Sequence, residues 1–347
     1  MKRKLILVTG GAGYIGSHAV LMLKERGYDV IILDNLKRGN RQIVVDILDV
    51  PLVKSSVGSS ETLIQILNGQ HQATQGRLID AVLHFAAYAY VGESTLNPAS
   101  YYRNNTTETL DLLIALKHEA HRRNKSLPIV FSSTCATYGV PDTIPIHEKV
   151  RQQPINPYGK SKLMIENILD DFWKAYEQPC MVFRYFNAAG ADPKGRIGEL
   201  HVPETHLIPC AFHALDHNAP PLTIYGNDYD TIDGTCIRDY IHVNDLANAH
   251  ILGLEMLLES PGHYVYNLGN GDGFSVIQVL SEIAKVAGRA VPYRFGARRA
   301  GDPATLVACA DLAKKELGWI PQYPELNQII SHAWNWHLKS GAYHNGN

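Results

Sequence analysis

"VTGGAGYIGSH", Val8 to His18, sets Gly10, Gly13 and Gly16 at three-residue intervals, with Thr9 just before them. On one side, "LILVT" (Leu5 to Thr9) is a short apolar run that reads as a buried strand. On the other, Tyr14 to about Arg26 reads as a helix. Glycines between a strand and a helix let the turn close and let backbone N–H groups approach a diphosphate. The helix N-terminus then adds partial positive charge.

The next strand, "DVIILD" (Asp29 to Asp34), ends in a carboxylate. An acid there accepts both hydroxyls of an adenosine ribose and repels a 2′-phosphate, so Asp34 predicts NAD over NADP, although Lys37 and Arg38 are close by. Further strands read from "PLVKS", "AVLHFA" (Ala81 to Ala86), "PIVFSS" (Pro128 to Ser133) and "MVFRYF" (Met181 to Phe186). Apolar strands alternating with helices predict an α/β fold, a Rossmann-type doubly wound parallel sheet. After Asn187 long Gly/Pro/Asp-rich connections appear, followed by two amphipathic segments, "FSVIQVLSEIAKVAG" and "ELNQIISHAWNWHLKS". Connections of that length usually lie over a ligand. The expected division is residues 1–186 as the dinucleotide-binding domain, with part of 238–270 returning to it, and 187–347 mainly as a smaller C-terminal α/β substrate lobe.

The chain has 347 residues, 45% apolar and 19% charged, with a net charge of −2. That balance carries no electrostatic signal for nucleic acid, and the cluster His121 to Lys125 reads as a solvated helix end. Five scattered cysteines without a C-x-x-C read as reduced thiols of a cytoplasmic protein. The apolar run after the basic start is too short for a signal peptide, and no stretch approaches the roughly 18 apolar residues of a membrane span. Sixteen histidines form no familiar ligand spacing, so no metal is expected.

"NPYGKSK", Asn156 to Lys162, opens another helical run, with Pro157 suited to its first turn. An i,i+4 spacing puts Tyr158 and Lys162 on one face. Taken alone, such a pair is usually an ordinary surface contact. Beside the glycine turn and "FSSTCATYG" it resembles the extended short-chain dehydrogenase/reductase family, and most closely its UDP-glucose (UDP-galactose) 4-epimerases. The strings that carry the resemblance span the chain: "LDNLKRGN", "HFAAYAYVGES", "FSSTCATYG", "NPYGKSKLMIE", "RYFNAAGADP", "DGTCIRDYIHV" and "RRAGDPA".

The resemblance implies interconversion of UDP-glucose and UDP-galactose with tightly held NAD. It makes Tyr158 the acid/base, Lys162 its partner and Thr134 the neighbouring hydroxyl, in a place where many relatives have serine and where Ser133 is the easily confused neighbour. A phenol about 5 Å from an ammonium, at an effective dielectric near 20, has its ionised form favoured by roughly 3 kcal/mol, or about two pKa units. For the cofactor the resemblance implies Gly10, Gly13, Tyr14, Ile15, Gly16, Asp34, Asn35, Val57, Phe85, Ala86, Ala87, Asn104 and Phe186, besides Tyr158 and Lys162. For the UDP-sugar it implies Asn187, His206, Leu207, Tyr225, Arg238, Arg299, Asp302 and Leu306, besides Thr134. His206 stands where many relatives have asparagine, Ser56 where an aspartate often meets adenine, and Ala89 where a lysine often lies near the cofactor. His84 reads as packing. The family also implies a homodimer built on helices at about Pro98–Arg122 and Tyr158–Glu177.

A 4,6-dehydratase would need an acid pair beside Thr134, where this chain has Cys135 and Ala136. Epimerisation of UDP-N-acetylglucosamine or of a UDP-pentose is an alternative within the class. A non-catalytic NAD sensor is the alternative outside it, disfavoured by the intact Tyr158, Lys162 and Thr134.

Overall fold

The computed structural model describes residues 3–217, 219–299 and 302–341. Of "RRAGDPA", therefore, Ala300 and Gly301 lie outside the described residues. The strands are β1 (Leu5–Thr9), β2 (Asp29–Asp34), β3 (Leu52–Lys54), β4 (Ala81–His84), β5 (Ile129–Ser132), β6 (Cys180–Tyr185), β7 (Asn187–Ala189), β8 (Leu222–Tyr225), β9 (Ile237–His242), β10 (His263–Leu268), β11 (Gly273–Ser275), β12 (Tyr293–Gly296) and β13 (Thr305–Leu306).

Seven of them form one parallel sheet in the order β10-β6-β5-β4-β1-β2-β3. β1, β4 and β5 are buried along their whole length, as expected of strands covered on both faces. One face packs on the helices Tyr14–Glu25 and Val243–Glu259, the other on Ser60–Leu67, Glu108–Arg123 and Pro157–Tyr176. The order reverses between β1 and β4, and ligands of such sheets bind in the crevice beyond the strand ends at that point.

The chain leaves this sheet after Phe186 and returns through the helix Val243–Glu259 and β10. The helix Asp311–Glu316 also packs on β10, and the other elements build a second layer. β7, β9, β11 and β13 form a small mixed sheet, and β8 pairs with β12. Ile208, Phe212, Val279, Ile283, Ile329 and Ile330 form this layer's own core. The helix Val276–Ala287 starts where Ser275 and Gln278 form a reciprocal capping box. No helix among the described residues is long and apolar enough to cross a membrane.

The segment read as one helix from Pro98 is interrupted. A wide π-turn, Tyr102–Thr107, separates Pro98–Tyr101 from Glu108–Arg123. The turn brings the Oδ1 atoms of both Asn104 and Asn105 to the backbone N–H of Tyr88, at 3.1 and 2.8 Å. π-turns inside helices often mark functional places, and this one props the strand-end segment that lines the cleft.

Candidate active site

A cleft of about 1390 Å³ runs between the large sheet and the second layer. That exceeds the volume of an ordinary single-ligand pocket. At one end the glycine turn bends back on the end of β4. Gly10 has φ +70°, and a Cβ there would lie 2.5 Å from the backbone nitrogen of Ala86. Only glycine permits that approach. Tyr14, Ile15 and Gly16 open the first helix at this wall. The Asp34 carboxylate accepts the N–H groups of Ala12 and Leu36, at 3.1 and 2.8 Å, which orients it toward the cleft. Asn35, Val57, Phe85, Ala86, Ala87, Asn104 and Phe186 complete the wall. Glycines and an oriented acid that together border an open cleft fit a dinucleotide. Ser56 instead donates to Glu108, at 2.6 Å, and does not line the cleft, whereas Ala89 does.

Tyr158, Lys162 and Thr134 meet at the middle. The Asn156 side chain caps the helix Pro157–Tyr176 by accepting from the Gly159 N–H at 2.9 Å. A Cβ on Gly159 would lie 2.5 Å from the carbonyl oxygen of Ala136. This close approach seats the helix on the turn Cys135–Thr137 and sets Tyr158 beside Thr134. Burial pushes the Tyr158 phenol up to about 12, and its hydrogen bond with Thr134 only tempers the rise. Lys162 is buried too, which lowers its ammonium to about 7 against the opposing pull of Glu166. Its Nζ donates to the Ser132 carbonyl at 2.7 Å and lies 4.7 Å over the Phe131 ring. The simple attraction expected from the i,i+4 spacing is therefore not the dominant influence on the phenol. Both groups are desolvated, and burial disfavours the charged form of each.

Behind them lies a buried polar network. Ser133 donates to Glu166, not to the cleft. Glu166 is paired with Arg184 at 2.7 Å, and Arg184 also donates to Tyr138, Glu148 and Gln152. His84 is held between Thr9 and Thr109 at 2.6 and 2.9 Å, a packing role.

The far end carries Asn187, His206, Leu207, Tyr225, Arg238, Arg299, Asp302 and Leu306, all on the cleft. Arg238 and Asp302 form an ion pair, and the Arg299 guanidinium lies 4.0 Å over the Tyr225 ring. The buried Asp239 accepts from the N–H groups of Asn270, Gly271 and Ala308 at 2.9–3.1 Å, fixing β9 and hence Arg238. Leu306 packs with Cys135, Tyr138 and Phe186 while bordering the cleft, so it is core and wall together.

Sequence reading missed three features. Tyr185 lines the cleft, its phenol pushed up chiefly by burial. Only its place before Phe186–Asn187 marked it. The segment after β7 is strapped to the first wall: Tyr14 donates to the Gly190 carbonyl at 2.7 Å, Tyr90 to Pro203 at 3.1 Å and Arg38 to Val202 at 3.2 Å. On that strap Glu199, His201, Glu204 and His206 converge. Burial works against charge on the His206 imidazole, yet Glu199 and then Glu204 raise it to about 9. The signal was the string E-x-H-x-x-E-x-H, which matches no familiar ligand spacing.

Comparison with known proteins agrees with this geometry. Residues 6–269 match the model of the NAD dependent epimerase/dehydratase family. A UDP-glucose 4-epimerase of Halalkalibacterium halodurans is 47% identical over 96% of this chain and 95% of its own length. The crystal structure of UDP-glucose 4-epimerase from Brucella ovis in complex with NAD is 43% identical, with a TM-score of 0.87 and coverage of 96% of this chain and 98% of that one. The Bifidobacterium longum enzyme in complex with NAD+ and UDP is 36% identical, with a TM-score of 0.86 over 97% and 98%.

Proposed function

The chain belongs to the NAD dependent epimerase/dehydratase family, and from that membership we propose that it is a UDP-glucose 4-epimerase that interconverts UDP-glucose and UDP-galactose with NAD as its cofactor. The carrying observation is that Tyr158, Thr134 and Lys162 sit midway along one cleft. The glycine turn and Asp34 stand at one end, Arg238 and Arg299 at the other.

In this reading the Tyr158 phenolate takes the proton of the sugar 4-hydroxyl, and Thr134 donates to the same oxygen or to the phenol. NAD, when bound, supplies reversible acceptance of a hydride from C4 and a positively charged ring. Lys162 offsets the cost of a buried phenolate when its ammonium, lowered to about 7 by burial, carries its proton. Arg238 and Arg299 grip the diphosphate, for which guanidinium forks are suited. Asp302 exchanges its pairing with Arg238 for the uridine ribose, Tyr225 packs near uracil, and Asn187 and Leu207 border the sugar nucleotide. The 4-ketose turns between those grips and the first wall, and Tyr158 returns the proton. No net redox change occurs.

The test is incubation of purified protein with UDP-galactose and no added cofactor, followed by chromatography for UDP-glucose. The expected result is interconversion, with NAD released on denaturation. Absence of product, or release of mainly NADP, overturns the reading. A homodimer is part of the same proposal, because Ile114, Met164 and Tyr176 on the two expected interface helices are exposed apolar side chains. Light scattering that gives one chain mass (38.5 kDa) would refute it.

Leu306 makes the proposal specific. Leucine leaves more length in the sugar pocket than a tyrosine, so UDP-N-acetylglucosamine is expected to be accepted as well. Leu306→Tyr overpacks the pocket at a cost of about 1–3 kcal/mol, expected to slow the acetylated substrate roughly five- to a hundredfold while UDP-galactose is spared. No wild-type turnover of the acetylated sugar, or equal loss of both, sinks the assignment.

A further inference from the structure

Glu199, His201, Glu204 and His206 come from one short stretch of irregular chain, yet one ligand atom of each lies within 4.8 Å of all the others. The four side chains point inward on one another. His201 Nδ1 stands 2.9 Å from Glu199 Oε1 and 3.9 Å from Glu204 Oε1. His206 Nδ1 stands 4.0 Å from that Glu204 oxygen and in direct contact with Glu199. Atoms held at about 2.0–2.2 Å from a tetrahedral centre lie roughly 3.3–3.6 Å apart, and these separations bracket that spacing.

Two more observations point to an occupant. His201 Nδ1 is buried inside the cluster without a hydrogen bond, despite its nearness to Glu199. Both carboxylates are almost wholly buried, at 8% and 9% exposure, and among the described residues neither pairs with a lysine or arginine. The flanking rings, Tyr14 and Tyr90, lie edge-on to His201 at 6.2 and 5.7 Å and bring no positive charge. Two carboxylates buried together are costly even beside imidazoles, because they share the one positive charge that His206 takes up. They are costlier still on a strap tied to the wall that receives one diphosphate, in a cleft that receives a second.

We propose that Glu199, His201, Glu204 and His206 form a four-ligand site for a first-row divalent metal ion, with zinc the best match. Two imidazole nitrogens and two carboxylate oxygens suit zinc in number and type, whereas magnesium and calcium prefer oxygen alone. Two charges of the ion cancel two carboxylates and leave both imidazoles neutral as ligands. The ion cross-links the strap at four points and removes negative charge from between the two anion subsites. Its role is to hold and to neutralise, and Tyr158 chemistry proceeds without it. The proposal is independent of which UDP-sugar is turned over.

The test uses the NAD-containing enzyme after treatment with a chelator and dialysis. Calorimetric titration with Zn²⁺, together with metal analysis, is expected to give one tightly held ion per chain, and Mg²⁺ no saturable binding. His201→Gln and Glu204→Gln are each expected to weaken Zn²⁺ binding at least about tenfold, with NAD content retained as the check on folding. His337→Gln probes the other grouping of possible ligands, His213, Asp216 and His337, and is expected to leave the stoichiometry unchanged. The proposal is overturned if Zn²⁺ shows no saturable binding in the micromolar range, if His201→Gln and Glu204→Gln bind as tightly as the wild type, or if His337→Gln alone abolishes binding. Either ligand variant suffices if the other fails to fold.

Discussion

Tyr158→Phe is expected to lose about 10²–10⁴ of the turnover rate, the usual contribution of a general acid–base group, while keeping its fold and its NAD. The ring is buried, with 7% of its surface exposed, and the substitution leaves that ring in place. Only the hydroxyl beside Thr134 is removed. The pH profile is the sharper readout. Burial holds the phenol up at about 12, and proton acceptance needs the ionised form. Wild-type kcat/KM should therefore climb as pH rises toward the phenol's pKa in the holoenzyme, and Tyr158→Phe should lose that limb. A variant turning over within a few-fold of wild type would remove Tyr158 from the mechanism.

Arg184→Leu is expected to lower the unfolding free energy by about 3–5 kcal/mol, because it strands the buried Glu166 carboxylate without its charge partner. The remaining donors, Ser133 and Gln152, are neutral. Replacing both partners, Arg184→Leu with Glu166→Leu, should recover much of that loss, since two apolar groups leave no orphaned charge. Activity should not recover with it, because Glu166 also fixes Ser133 next to Thr134. Urea unfolding of the three proteins decides the matter. A single variant within about 1 kcal/mol of wild type would mean that the buried pair is not what holds this part of the fold.

What could be read from sequence was local. "LILVT" and "DVIILD" gave their strands because continuous apolar runs bounded by glycine or asparagine leave few alternatives. The glycine turn followed because Gly10, Gly13 and Gly16 stand between them. Asn156–Pro157 marked the start of the helix that carries Tyr158. What escaped was set by distant chain. "HYVYNL" becomes β10 by pairing with β6, a partner some eighty residues earlier, and nothing in its own alternation names that partner. "YYRNNTT" is rich in weak helix formers, which does not say that the helix widens, and its π-turn forms against the Tyr88 segment. The state of the Tyr158 phenol was misjudged because spacing reports which groups are neighbours, whereas desolvation depends on everything packed around them. The four strap side chains lie on irregular backbone, whose path no periodicity describes.

The route of the chain between the two layers has a mechanical consequence. It crosses after Phe186, again where β9 runs straight into the helix at Val243, again after Leu268, and twice more on either side of the helix Asp311–Glu316, which packs on β10. A hinge works when few connections bend together. Here five would have to flex at once, one of them a strand that passes into a helix without a loop. A frame pinned in this way is expected to keep the gap between the walls constant. For a reaction whose intermediate must rotate, this divides the labour: the sugar ring supplies the motion and the protein supplies a constant clearance. On the proposed function, selection among sugars would then fall to side chains bordering that clearance, as Leu306 does, and not to how far the frame can open.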